Sequence, residues 1–126
     1  MRKQPRKGKG KIKISDLEVG GVYTSKGNAM DAVFLGRARF DGNLKCAWAY
    51  VTGHYSSVAG YQSAYQREMQ SSWGPPTVIL TNGCSYTDCV GKVNLEPNLR
   101  EDPACAHVEF QDGYGTKLAR SRVTEW

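Results

Sequence analysis

Four cysteines and two histidines are the side chains of this 126-residue chain best suited to covalent or metal chemistry. Cys84 and Cys89 are spaced C-x4-C, and Cys105-Ala106-His107 offers a thiol and an imidazole two residues apart. Zinc takes four thiolate or imidazole ligands in a tetrahedron, usually from paired knuckles. A Cys-x-His pair on a strand turns both side chains to one face, as a zinc site requires. Asn82-Gly83-Cys84 nevertheless lacks the C-x2-C knuckle, and no ligand pair is duplicated. The sequence leaves three states open, a structural zinc, a Cys84–Cys89 disulfide, and free thiols. Free thiols are favoured, because no export signal points to an oxidising compartment. Nucleophilic catalysis would need a cysteine beside His54 or His107 and a third group to orient the imidazole. No HExxH, phosphate-binding loop, GxSxG or dinucleotide fingerprint occurs. Glu101-Asp102 beside Pro103 reads as a solvated turn rather than an acid/base pair. The expectation is a protein without catalytic residues, metal or cofactor.

Charge carries a stronger signal. Arg2, Lys3, Arg6, Lys7, Lys9, Lys11 and Lys13 put seven of the 17 Lys/Arg into the first thirteen residues, with no acid among them. The other ten then face all 12 Asp/Glu, so the rest of the chain is slightly acidic. Pro5, Gly8 and Gly10 deny residues 1–13 a helix or an apolar face, and the reading is a disordered basic arm. Each cation that neutralises a phosphate releases condensed counterions, so such an arm suits nucleic acid. Without aromatic or base-reading side chains it would position rather than specify. A solubility tail, or docking on the protein's own acidic surface, are the alternatives.

Two further groups extend that path. Arg37, Arg39 and Lys45 flank Asp41-Gly42-Asn43 and would cluster on one face of a hairpin, where like charges need an anion or an acidic neighbour. Residues 50–73 hold Tyr50, Tyr55, Tyr61, Tyr65 and Trp73. Tyr and Trp amid Ser, Gly and Gln describe a recognition surface that stacks on bases or packs on protein. Tyr61, Tyr65 and Met69, spaced i, i+4, i+8, can equally be the buried stripe of a helix over 58–70. Tyr55 and Trp73 are the better surface candidates.

The elements that must position these residues are mostly strands. Ser15 to Glu18 matches a capping box, but Gly20-Gly21 stops it within one turn. Val22–Ser25 is a short strand. Ala32–Phe40 is a long bent one, with Val33, Leu35, Arg37 and Arg39 on one face and Phe34, Gly36, Ala38 and Phe40 on the other. Gly36 is the natural place for a bulge. Asp41-Gly42-Asn43 turns the chain into Leu44–Thr52, whose alternate residues include Cys46, Trp48 and Tyr50. Pro75-Pro76 ends the helix, and Thr77–Thr81 is an apolar strand. Residues 91–104 read as an irregular connection and Cys105–Gln111 as a strand. Asp112-Gly113-Tyr114-Gly115 turns into Thr116–Ala119, and Arg120–Trp126 reads as one helical turn packing Val123 and Trp126. The fold class is mainly β, a small bent antiparallel SH3-like barrel of five or six strands over 14–126. An insertion at about 53–76 carries the helix.

Leu17-Glu18-Val19-Gly20-Gly21-Val22-Tyr23-Thr24-Ser25-Lys26-Gly27, followed by Ala32-Val33-Phe34-Leu35-Gly36, resembles the opening of Tudor/KOW-like (SH3-like) small barrels. Ala106–Gln111, Asp112-Gly113 and Val123-Thr124-Glu125-Trp126 are similar to the end of uncharacterised small proteins of actinobacterial bacteriophages. The resemblance implies a barrel and a bacteriophage source, and carries over no catalytic residue. With no apolar run long enough for a span and no secretory signal, a soluble cytoplasmic protein is expected. Two functions fit. One is a nucleic-acid-binding accessory protein, DNA or RNA, that uses the arm, Arg37, Arg39, Lys45, Tyr55 and Trp73. The other is a protein-binding module that engages a host protein through 53–76.

Overall fold

A computed structural model describes residues 10–70, 73–105 and 107–126. Arg2, Lys3, Arg6, Lys7 and Lys9 lie outside the described residues. Among those described there are eight strands and one α-helix: β1 (Gly21–Thr24), β2 (Asp31–Phe40), β3 (Asn43–Val51), α1 (Val58–Met69), β4 (Thr77–Thr81), β5 (Asp88–Lys92), β6 (Glu109–Asp112), β7 (Lys117–Leu118) and β8 (Val123–Thr124). The class is mainly β, as the alternating strands and Gly/Asn/Asp turns imply.

The strands form one sheet in the order β5-β1-β2-β3-β4-β6-β7, with β8 added to β2. Every pair is antiparallel except β4 with β6, where Val78 lies beside Phe110 and Leu80 beside Asp112. The path from β5 to β7 is open, so the sheet is not a closed barrel, and its strands outnumber the five or six expected. The extra ones are short or polar. β5 carries exposed Asp88, Cys89 and Val90 and has no alternating pattern to reveal it. β8 occupies two residues after a 3-10 turn at Arg120–Arg122, and Val123 and Trp126 pack on the core as anticipated.

The expected bulge is present and has a larger effect than a bend. Register shifts between Phe34 and Gly36, and Gly36 takes a φ of 106°. An extra residue in one strand exchanges its two faces beyond that point. Ala38 and Phe40 therefore join Val33 and Leu35 in the core that α1 covers, with Tyr61, Ala64, Tyr65 and Met69 as the buried side of the helix. Arg37 and Arg39 pass to the side of Phe34. The single-face grouping of Val33, Leu35, Arg37 and Arg39 fails because strict alternation does not survive the bulge.

The sheet's other face is covered too. Tyr23, Ala32, Phe34, Cys46, Trp48, Ile79 and Tyr86 form a second apolar cluster, lidded by Ile12, Ile14 and Leu17. Ile12 N–H donates to the Tyr86 carbonyl at 2.9 Å, and Ile14–Asp16 is a 3-10 turn with no side-chain cap. Residues 11–13, expected to be part of a disordered arm, belong to the folded body, because Ile12 is anchored by that hydrogen bond and by apolar contact.

Candidate functional site

The four cysteines do not converge. Cys46 is buried beneath one face of the sheet, Cys84 is half-buried near it, Cys89 is exposed on β5, and Cys105 is buried in the opposite core. All four are free thiols. Among the described residues no group of three or more His, Cys, Asp or Glu is arranged to hold a metal. Burial pushes the thiols of Cys46, Cys84 and Cys105 up from their ordinary pKa, which disfavours the thiolate a nucleophile needs.

The cations at the hairpin are separated and engaged. Arg37 lies opposite Cys46 and Arg39 opposite Leu44, whereas Lys45 lies opposite Ala38. Directly opposed residues share a face, so Lys45 projects from the side away from the two arginines. The single-face cluster fails because the turn pairs Phe40 with Asn43, which sets the odd-numbered residues of β2 opposite the even-numbered ones of β3. Arg37 Nε donates to the Lys45 carbonyl at 2.9 Å, and Arg39 pairs with Glu125 at 3.0 Å. Lys45 Nζ donates to the side-chain oxygen of Asn82.

The aromatic candidates also divide. Tyr55 is half-buried, edge-on to Tyr61 at 5.3 Å between ring centres. Its hydroxyl donates to the Thr52 carbonyl at 2.7 Å and accepts from Arg67 Nη2 at 2.9 Å. Trp73 is exposed, and Tyr61 and Tyr65 belong to the core.

Two sites escape a reading of the sequence. The first centres on Asp31, the one fully buried carboxylate among the described residues. Its Oδ1 accepts from Thr24 Oγ1 at 2.6 Å, and its Oδ2 accepts from the Tyr61 hydroxyl and lies 3.1 Å from His54 Nδ1. Burial alone would raise its pKa, but the hydrogen bonds from Thr24, Tyr61 and His54 outweigh this and hold it below the ordinary value. A buried carboxylate that orients an imidazole also occurs in hydrolytic triads. Here its other partners are a strand threonine and a helix tyrosine, so it joins β1, β2, the 52–57 connection and α1. Nothing in the local sequence distinguishes Asp31 from an ordinary turn residue preceding a strand.

The second is a cleft of about 660 Å³ between the 81–86 segment and the turn after β6. Lys11, Lys45 and Asp112 line it, with buried Trp48 and Tyr86 in its wall and exposed Tyr114 at its mouth. Trp48 Nε1 donates to Thr81 Oγ1 at 2.9 Å, so the indole's one polar atom is satisfied within the wall. Tyr114 is 96% exposed. Its turn is nonetheless well fixed, because Asp112 Oδ1 accepts from Tyr114 N at 2.8 Å and from Thr116 N at 2.9 Å. An aromatic residue between Gly113 and Gly115 at a hairpin tip is the signal that could have found it.

Fold and cleft together define a mainly β protein with an open mixed sheet, both faces covered, and a mixed aromatic and cationic hollow at one end. No helix among the described residues is long and apolar enough to cross a membrane. Comparison of the chain with protein-family models, curated proteins and solved structures finds no match.

Proposed function

We propose that this chain is a non-enzymatic nucleic-acid-binding accessory protein of a bacteriophage, acting in the host cytoplasm, whose basic N-terminal residues contact phosphates. The observation that carries the reading is where that segment meets the body. Lys11 lines the cleft, Ile12 is pinned to Tyr86 beside it, and the same hollow holds Lys45. A cleft with two cations and an exposed aromatic ring, in a chain whose first residues are rich in Lys and Arg, matches a polyanion whose units are planar and stackable.

The test is fluorescence anisotropy with labelled duplex DNA, single-stranded DNA and RNA. The full chain is compared with a chain lacking residues 1–9, which leaves Ile12 in place. The full chain is expected to bind with log K falling linearly in log salt. The truncated chain should show a slope shallower by about 0.7 to 0.9 for each phosphate that is no longer neutralised. No binding by the full chain at low salt, or an unchanged slope after truncation, would overturn the reading.

The exposed Trp73 favours a second reading, a protein-binding module that engages a host protein through residues 53–76. Under it, Trp73→Ala abolishes capture of the host protein and removal of residues 1–9 does not.

A further inference from the structure

Resting on that reading, we infer that the cleft beside Lys11 and Tyr114 is the seat of an unpaired nucleotide, so that the preferred substrate is single-stranded nucleic acid. Four observations converge. The cleft, at about 660 Å³, falls within the size range of small-molecule and cofactor sites. Its mouth carries an aromatic ring that is 96% exposed on a turn held by two hydrogen bonds to Asp112 Oδ1. With the turn's backbone fixed in this way, stacking a base on the ring costs only the side chain's own rotamer freedom. Its cations, Lys11 and Lys45, come from different parts of the chain and converge on one hollow.

Two lysines face one lining carboxylate, Asp112, so the cleft keeps a net positive charge. Asp112 Oδ1 is occupied by its own turn, and Asp41, whose carboxyl feels Lys45, is bound by both Nε and Nη2 of Arg122. Lys45 itself is hydrogen-bonded to a neutral amide.

The chemistry separates a single strand from a duplex. In a duplex both faces of each base are covered by its neighbours, and a base must leave the stack before a side chain can lie against it. A single strand presents those faces without that cost, and stacking tolerates any base. The nucleotide would lay its base against Tyr114 and its phosphates towards Lys11 and Lys45.

Anisotropy with fluorescein-labelled oligo(dT) and with a labelled mixed-sequence duplex, at one salt concentration, tests this. The wild type is expected to favour oligo(dT). Tyr114→Ala should lower oligo(dT) affinity by about tenfold, within the range a single stacked base gives, and leave duplex binding unchanged. Tyr114→Phe should retain the affinity, because the ring and not the hydroxyl does the stacking. Since Tyr114 makes no use of the core, circular dichroism of both variants should match the wild type.

Oligo(dT) binding by Tyr114→Ala equal to wild type would overturn the inference while leaving the phosphate-binding arm standing. Competition by polyglutamate as effective as by unlabelled oligo(dT) would also overturn it, since charge alone would then account for binding. Failure of the wild type to bind either probe at low salt would instead overturn the underlying reading.

Discussion

Asp31→Ala is expected to destabilise the protein by about 3–5 kcal/mol, the cost of breaking a buried charged hydrogen-bond group. The carboxylate is fully buried and joined to Thr24, Tyr61 and His54. Its removal leaves the Thr24 and Tyr61 hydroxyls facing a small cavity at the junction of two strands and the helix. Asp31→Asn keeps the shape but turns an amide N–H₂ towards at least one donor, and should cost about 2 kcal/mol. The acid response gives the sign. A carboxyl whose folded pKa lies below its unfolded value contributes stability that is whole above the unfolded value, about 3.9, and is lost as pH falls through the folded one. Urea unfolding at pH 7 and in steps below about pH 4 should therefore show the gap between wild type and Asp31→Asn narrowing in acid. A gap that widens in acid, or none at pH 7, would contradict the role given to this carboxylate.

Arg100→Ala is expected to cost about 3 kcal/mol, because it strips donors from partly buried carbonyls. Arg100 Nη1 donates to the Leu35 and Arg37 carbonyls, both at 3.1 Å, across the bulge, and Nη2 reaches the Glu125 carbonyl at 3.3 Å. Its guanidinium also lies 4.6 Å from the Trp126 ring centre, and Trp126 stands edge-on to Phe110. Lysine cannot reproduce a planar fork with stacking, so Arg100→Lys should recover little of the stability. Gly36 is coupled to the same group. A Cβ there would lie 2.7 Å from Arg100 Nη1, on a backbone of φ 106°. Gly36→Ala and Arg100→Ala should consequently be less than additive, since the second change removes the atom the first would strike. Chemical-denaturation midpoints of the two single variants and the double variant measure this, and strict additivity would separate Arg100 from the bulge.

These two residues mark where sequence patterning stops being informative. The β2–β3 hairpin is legible because Asp41-Gly42-Asn43 is flanked by long runs of β-formers, and α1 because Tyr61, Tyr65 and Met69 recur at helical spacing before Pro75-Pro76. Gly36 announces a bulge, yet the exchange of faces depends on which residue is left out of register, and the partner strand decides that. β5 lacks alternation because it is an exposed edge. The β4–β6 pairing is parallel and joins residues brought together only by the intervening chain. Cys105–Gln111 shortens to Glu109–Asp112, because Pro103–Cys105 closes a 3-10 turn. In the candidate site, charge alone picks out Lys11 and Lys45, but their convergence requires the fold. Asp31 and Arg100 escape notice because a buried carboxylate and a carbonyl-binding arginine look like any others in one dimension.

The way β2 completes its pairing has a kinetic consequence. One of its edges is shared by β1 near Val33 and by β8 at Arg39 and Phe40, and the Asp41–Arg122 ion pair that accompanies β8 spans 81 residues of chain. β1 with β5 and β4 with β6 are likewise remote in sequence. A topology built on such distant contacts must close large loops before the contacts can offset the chain entropy given up. Folding is therefore expected on the millisecond-to-second scale of non-local β proteins rather than in microseconds, as stopped-flow refolding would measure.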